Sequence, residues 1–431
     1  MGWQEHTSAA VDAAVQGQEG RQAEAGACCG DNPQANCCGT TAAACCTSAA
    51  TQPTDAACCD REAAHAVVSA DARPGGETRS QSDQARDPAS LPVAVIGAGP
   101  IGLAAAAHLI ARGETPIVFE AGATVGASML QWGHVRLFSP WQYTVDAAAG
   151  SLLERSGWRS PDPEAYPTDR DIVEQYLAPL AALPQIRPHL RLETHVVSVS
   201  RKGFDKMKTI GREAAPFLLT VRAAGGREEQ VLAKAVIDAS GTYRSPNPLG
   251  ASGVPAVGET ALAEQIYYGI PDVLGAHRAR YAGRRVLVVG SGHSAFNAIL
   301  DLLTLADEAP GTTVVWAVRR ASVVHLFGGG ENDLLPARGE LGLRVRRLVE
   351  GGRLHLVTGF GATELRASGD GITVVGDGQV LPPVDEIIAT TGFRPDLSFL
   401  GEVRLGLDPG VEAPVALAPL IDPNFHSCGT V

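Results

Sequence analysis

A chain of 431 residues, 45% of them hydrophobic, holds enough material for two or three cored domains. Its net charge of −12 is uneven: residues 1–90 carry 12 acids against 5 arginines, which leaves −5 for the body and argues against a nucleic-acid or anionic-membrane surface. No apolar run approaches the ~18 residues of a membrane span, and the N-terminus lacks the basic and apolar regions of a secretory signal. The expectation is a cytoplasmic protein acting on a small molecule, without nucleic-acid or membrane partners and with a homodimer left open.

Residues 1–90 contain no Leu, Ile, Phe or Tyr. Too little apolar surface is available to offset ordering entropy, so the segment reads as a disordered arm. Eight of the nine cysteines lie in it as four adjacent pairs: Cys28-Cys29, Cys37-Cys38, Cys45-Cys46 and Cys58-Cys59. Neighbouring cysteines make strained disulfides, whereas paired thiolates suit a thiophilic ion such as Cu(I), Zn(II) or arsenite. The pairs lack His ligands and zinc-knuckle spacing, which ranks arsenite above structural zinc. The alternative is a low-complexity extension with no selected ligand.

Leu91 to Ile96 reads as a strand, and Ile101 to Arg112 as an alanine-rich helix. Between them Gly97-Ala98-Gly99-Pro100-Ile101-Gly102 forms a turn whose backbone can approach a pyrophosphate. A second strand, Pro116 to Phe119, ends in Glu120, placed for a ribose hydroxyl and against a 2′-phosphate. A stretch of mixed aromatic and polar residues follows, Trp132 to Pro140, with His134, Arg136 and Ser139 as candidates beside a reacting group. The competing reading is a loop packed under Trp132, Phe138 and Trp141.

The pattern returns 193 residues after Gly97. Arg285 to Val289 is a strand, Gly290-Ser291-Gly292-His293-Ser294-Ala295 the turn, and His293 to Ala306 an apolar-striped helix. The strand Thr313 to Val318 ends in Arg319-Arg320, whose guanidinium groups match a 2′-phosphate, so this cradle reads as an NADPH site. A solvated strand end is the plainer alternative. Arg344, Arg346 and Arg347 read as the wet face of a helix, and Asp333 as part of a glycine-rich loop.

Taken with Val236-Ile237-Asp238-Ala239-Ser240-Gly241 and Ile387-Ile388-Ala389-Thr390-Thr391-Gly392-Phe393-Arg394-Pro395, these cradles resemble the flavoproteins with two dinucleotide-binding domains. Within them the chain is similar to the flavin-dependent monooxygenase and thioredoxin-reductase-like group. The resemblance implies an α/β fold of two Rossmann-like domains, the NADPH domain inserted into a discontinuous FAD domain. The implied boundaries are an FAD part at 91–245, a connecting segment at 246–280, an NADPH domain at 281–380 and a shortened FAD return at 381–431. It places FAD on Gly97, Gly99, Pro100, Ile101, Gly102, Glu120 and Gly241, and NADPH on Gly290, Gly292, His293, Ser294, Arg319 and Arg320.

Two hallmarks are missing. No cysteine occurs between Cys59 and Cys428, so the body has no C-x-x-C, and the F-x-G-x-x-x-H-x-x-x-[YF] of flavin-containing monooxygenases is not found. Through Trp132 to Pro140 and Tyr268-Gly269-Ile270-Pro271-Asp272 the body is similar to monooxygenase-like flavoproteins encoded with bacterial arsenic resistance. The resemblance thus implies NADPH-dependent, FAD-mediated oxidation of a soft nucleophile, trivalent arsenic included. The alternatives are a reductase or oxidase without oxygen transfer, or a non-enzymatic metalloid binder.

Overall fold

The computed structural model describes residues 88–324 and 326–421. The eight paired cysteines of the arm lie outside the described residues.

Strand β1 (Val93–Ile96) is buried along its whole length, as parallel strands covered on both faces are. It pairs in parallel with β2 (Pro116–Phe119), which pairs with the short edge strand β3 (Leu190–Arg191). Strands β4 (Thr194–Arg201), β5 (Phe217–Ala223) and β6 (Glu228–Ala233) then form a separate antiparallel sheet. The chain re-enters the first sheet as β7 (Ala235–Asp238), on the free side of β1, giving the order β3-β2-β1-β7. The alternation of strand side chains makes two cores. Val95 packs with Leu103, Ala106 and Ala107 of the helix Pro100–Ala111, whereas Ala94 and Ile96 pack with Val196, Leu219 and Val221 of the antiparallel layer.

The second half repeats this design. Strands β8 (Ile266–Tyr268), β9 (Arg285–Val289), β10 (Thr313–Ala317) and β11 (His355–Val357) belong to a parallel sheet. An antiparallel layer, β12 (Ala362–Ser368), β13 (Gly371–Gly376) and β14 (Gln379–Val380), precedes β15 (Glu386–Ala389), and the sheet order is β11-β10-β9-β15-β8. Val286 and Val288 face the helix His293–Glu308, while Leu287 and Val289 face Ile372 and Val374 of the antiparallel layer. The fold is therefore two Rossmann-like α/β dinucleotide-binding domains.

The second sheet reaches beyond residues 281–380 on both sides. Ile266–Tyr268 and Glu386–Ala389 lie outside that span, yet they pair with each other and β15 pairs with β9. The cause is the apolar pair Ile387 and Ile388, fully buried between Leu287 and Val288 on one side and β8 on the other. Glu259 ties the connecting segment to this sheet. Its buried carboxylate accepts the N–H groups of Leu249, Gly250 and Ala256 and the hydroxyl of Tyr268, at 2.6–3.3 Å.

Beyond Pro395 the chain passes back to the first domain. Leu397, Phe399, Leu400 and Val403 join the core under β4 and β5, and Arg212 donates to the Glu402 carbonyl. Within the described residues this stretch holds a one-turn helix, Ser398–Leu400, the small hairpin of β16 (Leu407–Asp408) and β17 (Ala413–Pro414), and a short helix, Ala418–Ile421. Among the described residues, no helix is long and apolar enough to cross a membrane.

Candidate functional site

The two glycine turns have the same construction. Gly97 has φ +100°, and a Cβ there would lie 2.4 Å from the Ala239 carbonyl oxygen at the end of β7. Gly290 has φ +131°, and its Cβ would lie 2.4 Å from the Thr390 carbonyl oxygen at the end of β15. Each first glycine lets a strand end and a crossing strand meet where no side chain fits. At the third glycine position the turns differ. A Cβ on Gly102 would fall 1.9 Å from the Gly97 carbonyl oxygen, whereas Ala295 is accommodated and fully buried. The second loop is also pinned by the Trp316 indole, which donates to the Gly290 carbonyl at 2.7 Å.

Gly99 and Gly292 are the N-caps of the two helices, and neither helix start has a side-chain cap. The middle glycines face open space, with nothing within 4 Å of a built Cβ. An anion can therefore approach each helix start, where N–H groups and the helix dipole favour it. Beside the first turn Ile101 is 71% exposed, so the space over this helix start is open on the side-chain side as well. Gly241, at φ +73° on the crossing after β7, likewise has open space around it, and Ser294 is half-buried at the second helix start.

The residues after the paired strands separate the two sites. Glu120 is 9% exposed, and its carboxylate accepts the N–H of Ala98 at 2.8 Å and of Gly122 at 2.7 Å. A carboxyl group has more acceptor positions than these two bonds occupy, so Glu120 braces the turn without using all of them. At the end of β10, Arg319 and Arg320 are both exposed, and Arg319 Nη1 donates to the Ala251 carbonyl at 3.0 Å.

The face shared by the two sheets is aromatic. Trp132 meets Tyr243 of the first crossing with ring centres 4.2 Å apart and planes tilted by 54°, and Tyr243 meets Phe393 of the second at 4.9 Å and 37°. The Tyr243 hydroxyl donates to Tyr267, and burial pushes the Tyr243 phenol up. His134 lies on the same loop as Trp132 and is half-buried. Its Nε2 is buried without a partner, and burial holds the imidazole below its ordinary value against the opposing pull of Asp272. Of the other two loop candidates, Arg136 is exposed and bridges to Thr168 through the backbone, and Ser139 is half-buried.

His293 opens the second helix and packs on Phe138 of the first domain, ring centres 5.4 Å apart, and edge-on to Phe296. Its Nε2 is also buried without a partner. Burial, and then the Arg338 charge, keep this imidazole below its ordinary value, so it is neutral at pH 7. Arg338 is fastened to Asp333 by three hydrogen bonds or ion-pair contacts of 2.7–3.0 Å. Burial works to raise the Asp333 carboxyl, but the bonds from Arg338 and the Leu335 N–H outweigh it and hold the carboxyl low.

The sequence reading missed one group altogether. Asp169 begins the helical stretch 169–182 and is 8% exposed, with burial raising its carboxyl to about 7 against the hydrogen bond from Trp132. The sequence also gave no hint that Arg338 pairs with Asp333 or that Tyr243 and Phe393 meet.

Open middle glycines at two uncapped helix starts leave room for two pyrophosphates. The profile of the pyridine nucleotide-disulphide oxidoreductase family matches residues 94–415. The chain belongs to this family. As a pyridine nucleotide-disulphide oxidoreductase family member, it is a two-domain FAD- and NADPH-binding oxidoreductase. It is 28% identical over 316 residues to a ferredoxin–NADP reductase of Salinispora tropica, covering 73% of this chain and 78% of that one. Its fold resembles the bacillithiol disulfide reductase Bdr (YpdA) from Bacillus cereus, with TM-score 0.56, 21% identity, and 74% and 83% of the two chains covered. It also resembles DfoA from Erwinia amylovora, a cadaverine monooxygenase solved with FAD, with TM-score 0.54, 15% identity, and 74% and 83% covered. The oxidoreductase family and both likenesses agree with the duplicated sheet-and-turn design.

Proposed function

We propose that this protein is an NADPH-dependent flavin reductase that passes electrons to an external acceptor without transferring oxygen. Gly97, Gly99, Pro100, Ile101, Gly102, Glu120 and Gly241 would hold FAD, and Gly290, Gly292, His293, Ser294, Arg319 and Arg320 would hold NADPH. The observation that carries the reading is the pair of open glycine cradles in one body, with an acid closing the first and two exposed arginines the second. When bound, the two cofactors supply hydride donation and acceptance, and the protein supplies orientation.

The chain's own residues then have separable tasks. Uncapped helix starts at Gly99 and Gly292 neutralise the pyrophosphates. Arg319 and Arg320 favour a 2′-phosphate, which Glu120 rejects at the first site. Trp132, Tyr243 and Phe393 wall the shared face and limit water there. Reduction rather than oxygenation is supported by the relative named as a reductase and by the missing monooxygenase hallmark. With no cysteine between Cys59 and Cys428, the acceptor does not react with a body dithiol.

The test is electron accounting with purified protein under 18O2. The reductase reading expects hydrogen peroxide equal to NADPH consumed when oxygen is the sole acceptor, and NADPH oxidation coupled to an added iron–sulfur protein, quinone or disulfide. Label entering a sulfur, nitrogen or arsenic(III) compound in proportion to NADPH would overturn it. A second reading follows the four cysteine pairs: a metalloid trap on Cys28, Cys29, Cys37, Cys38, Cys45, Cys46, Cys58 and Cys59 feeding arsenite to the flavin. It expects arsenite to protect these thiols from alkylation and, with NADPH and O2 both consumed, arsenate to form carrying one oxygen atom from O2, the other leaving as water.

A further inference from the structure

Of the 35 lysines and arginines in the chain only four are lysines, and three of those, Lys202, Lys206 and Lys208, fall within seven residues. They lie on the connection between β4 and β5, where residues 201–212 hold five basic residues and one acid. The same connection carries Met207, 84% exposed, and Ile210, 95% exposed, the two most exposed large apolar side chains among the described residues. Single apolar residues on a surface are ordinary, but two nearly bare ones within four residues, set among lysines, are not.

The connection is fastened so that these side chains stay outside. Arg212, 5% exposed, spans its base, donating to the Asp205 carbonyl at 3.3 Å and to the Glu402 carbonyl at 2.7 Å. From the return segment Arg404 donates to the Lys206 carbonyl at 2.7 Å and the Thr209 hydroxyl at 3.1 Å. Phe204 lies under the turn at Gly211, where a built Cβ would be 3.4 Å from its ring. The adjacent acids are engaged by backbone: Asp205 accepts the N–H groups of Met207 and Lys208, and Glu402 that of Lys206. All three lysines are exposed, and their own contacts, Lys208 to Asp205 at 3.7 Å and Lys206 to the Gly401 carbonyl at 3.1 Å, lie in solvent, where such contacts are weak. Two arginines thus hold an apolar tip, flanked by lysines, out in water.

The residue types point to what covers this tip. Protein interfaces favour arginine and aromatic side chains and are poor in lysine, whereas this chain uses arginine nearly everywhere and lysine here. A lipid surface suits the opposite choice: bare aliphatic side chains enter the boundary below the headgroups, and long, strongly hydrated lysines keep their ammonium groups at the phosphates. The net −5 of the body is a sum over its whole surface, and at physiological salt a charge is felt over only about 8 Å, so the local excess of lysine decides. We propose that the β4–β5 connection docks on the headgroup layer of an anionic bilayer, with Met207 and Ile210 entering its apolar boundary and Lys202, Lys206 and Lys208 against the lipid phosphates. Two apolar side chains and three lysines make a reversible contact rather than a permanent anchor. The contact is independent of what the two glycine cradles hold.

The test is flotation of the purified full chain with vesicles of phosphatidylcholine alone or with about 30% phosphatidylglycerol. Wild type is expected to partition onto the anionic vesicles at least about tenfold better than onto the neutral ones, and to lose about tenfold between about 50 and about 500 mM salt. Met207→Ser with Ile210→Ser should lower binding to anionic vesicles about tenfold, and Lys202→Gln with Lys208→Gln should abolish the anionic preference. Both double variants alter exposed side chains, so thermal unfolding should stay within a few degrees of wild type. Ile210→Trp should bind more tightly, because an indole suits the interface, and Arg346→Gln with Arg347→Gln, on the wet face of another helix, should bind as wild type does. A wild type that does not float with anionic vesicles at low salt overturns the proposal, as does binding that neither loop double variant reduces. Loop variants that change only self-association in sedimentation velocity assign the tip to a protein contact and overturn it equally.

Discussion

Asp169→Asn removes the charge that the fold resists at nearly the same side-chain volume, so it converts burial into a stability measurement. Below pH 3.8 the wild-type carboxyl is protonated in both folded and unfolded chains, and its favourable neutral burial is fully present. As pH rises, the unfolded chain loses this proton first, while the folded chain keeps it to about pH 7. Stability therefore falls through that window by about 1.4 kcal/mol per pH unit and levels off above it, a total of about 4 kcal/mol. The Asn variant escapes the loss. Urea unfolding of both proteins at pH 5 and pH 8, followed by circular dichroism, should show the variant gaining about 3 kcal/mol relative to wild type between these values. A difference that stays constant with pH, or that moves against the variant as pH rises, refutes the claim of an uncompensated buried acid.

Other substitutions probe the cradles and their supports. Gly292→Ala adds a methyl where nothing lies within 4 Å, so thermal unfolding should move by no more than a few degrees, while KM for NADPH rises at least tenfold on the order expected for a blocked backbone approach. Arg319→Ala with Arg320→Ala should lower the NADPH-over-NADH preference in kcat/KM by about 100-fold, with only about 1 kcal/mol of stability lost through the Arg319 bond to Ala251. Glu259→Ala strands four donors and should cost roughly 3–5 kcal/mol in urea unfolding. Arg338→Met withdraws the charge beside His293, and NMR titration of that imidazole should show its pKa rising towards the ordinary value.

The cradles were legible because a pyrophosphate site needs glycine at fixed steps between a strand and a helix, and both the needed space and the meeting of strand ends appear at Gly97 and Gly290. Glu120 was legible from its distance along the chain, although its bracing of the Ala98 and Gly122 N–H groups was not. The membership of Ile266–Tyr268 and Glu386–Ala389 in the second sheet was hidden, since strands of three and four residues carry no periodicity and choose partners by non-local packing. Asp169 was hidden for another reason. An acid in the first turn of a helix usually lies in solvent near the dipole, and only the fold of the Trp132 loop over it turns a routine residue into a buried acid. The run Arg344 to Arg347 shows the opposite case: Arg346 and Arg347 lie on a wet helix face, paired with Glu350 and Glu340.

The central claim is that two cradles of different charge in one body hold FAD and NADPH for electron transfer. Its most direct test is the visible spectrum of the purified protein, saturated with FAD and freed of excess, before and after anaerobic additions of NADPH and of NADH. The account predicts a flavin band that stays with the protein and is bleached by about one equivalent of NADPH, with NADH at the same concentration slower by about 100-fold. A protein that retains no flavin, or whose flavin is reduced equally fast by both nucleotides, contradicts it.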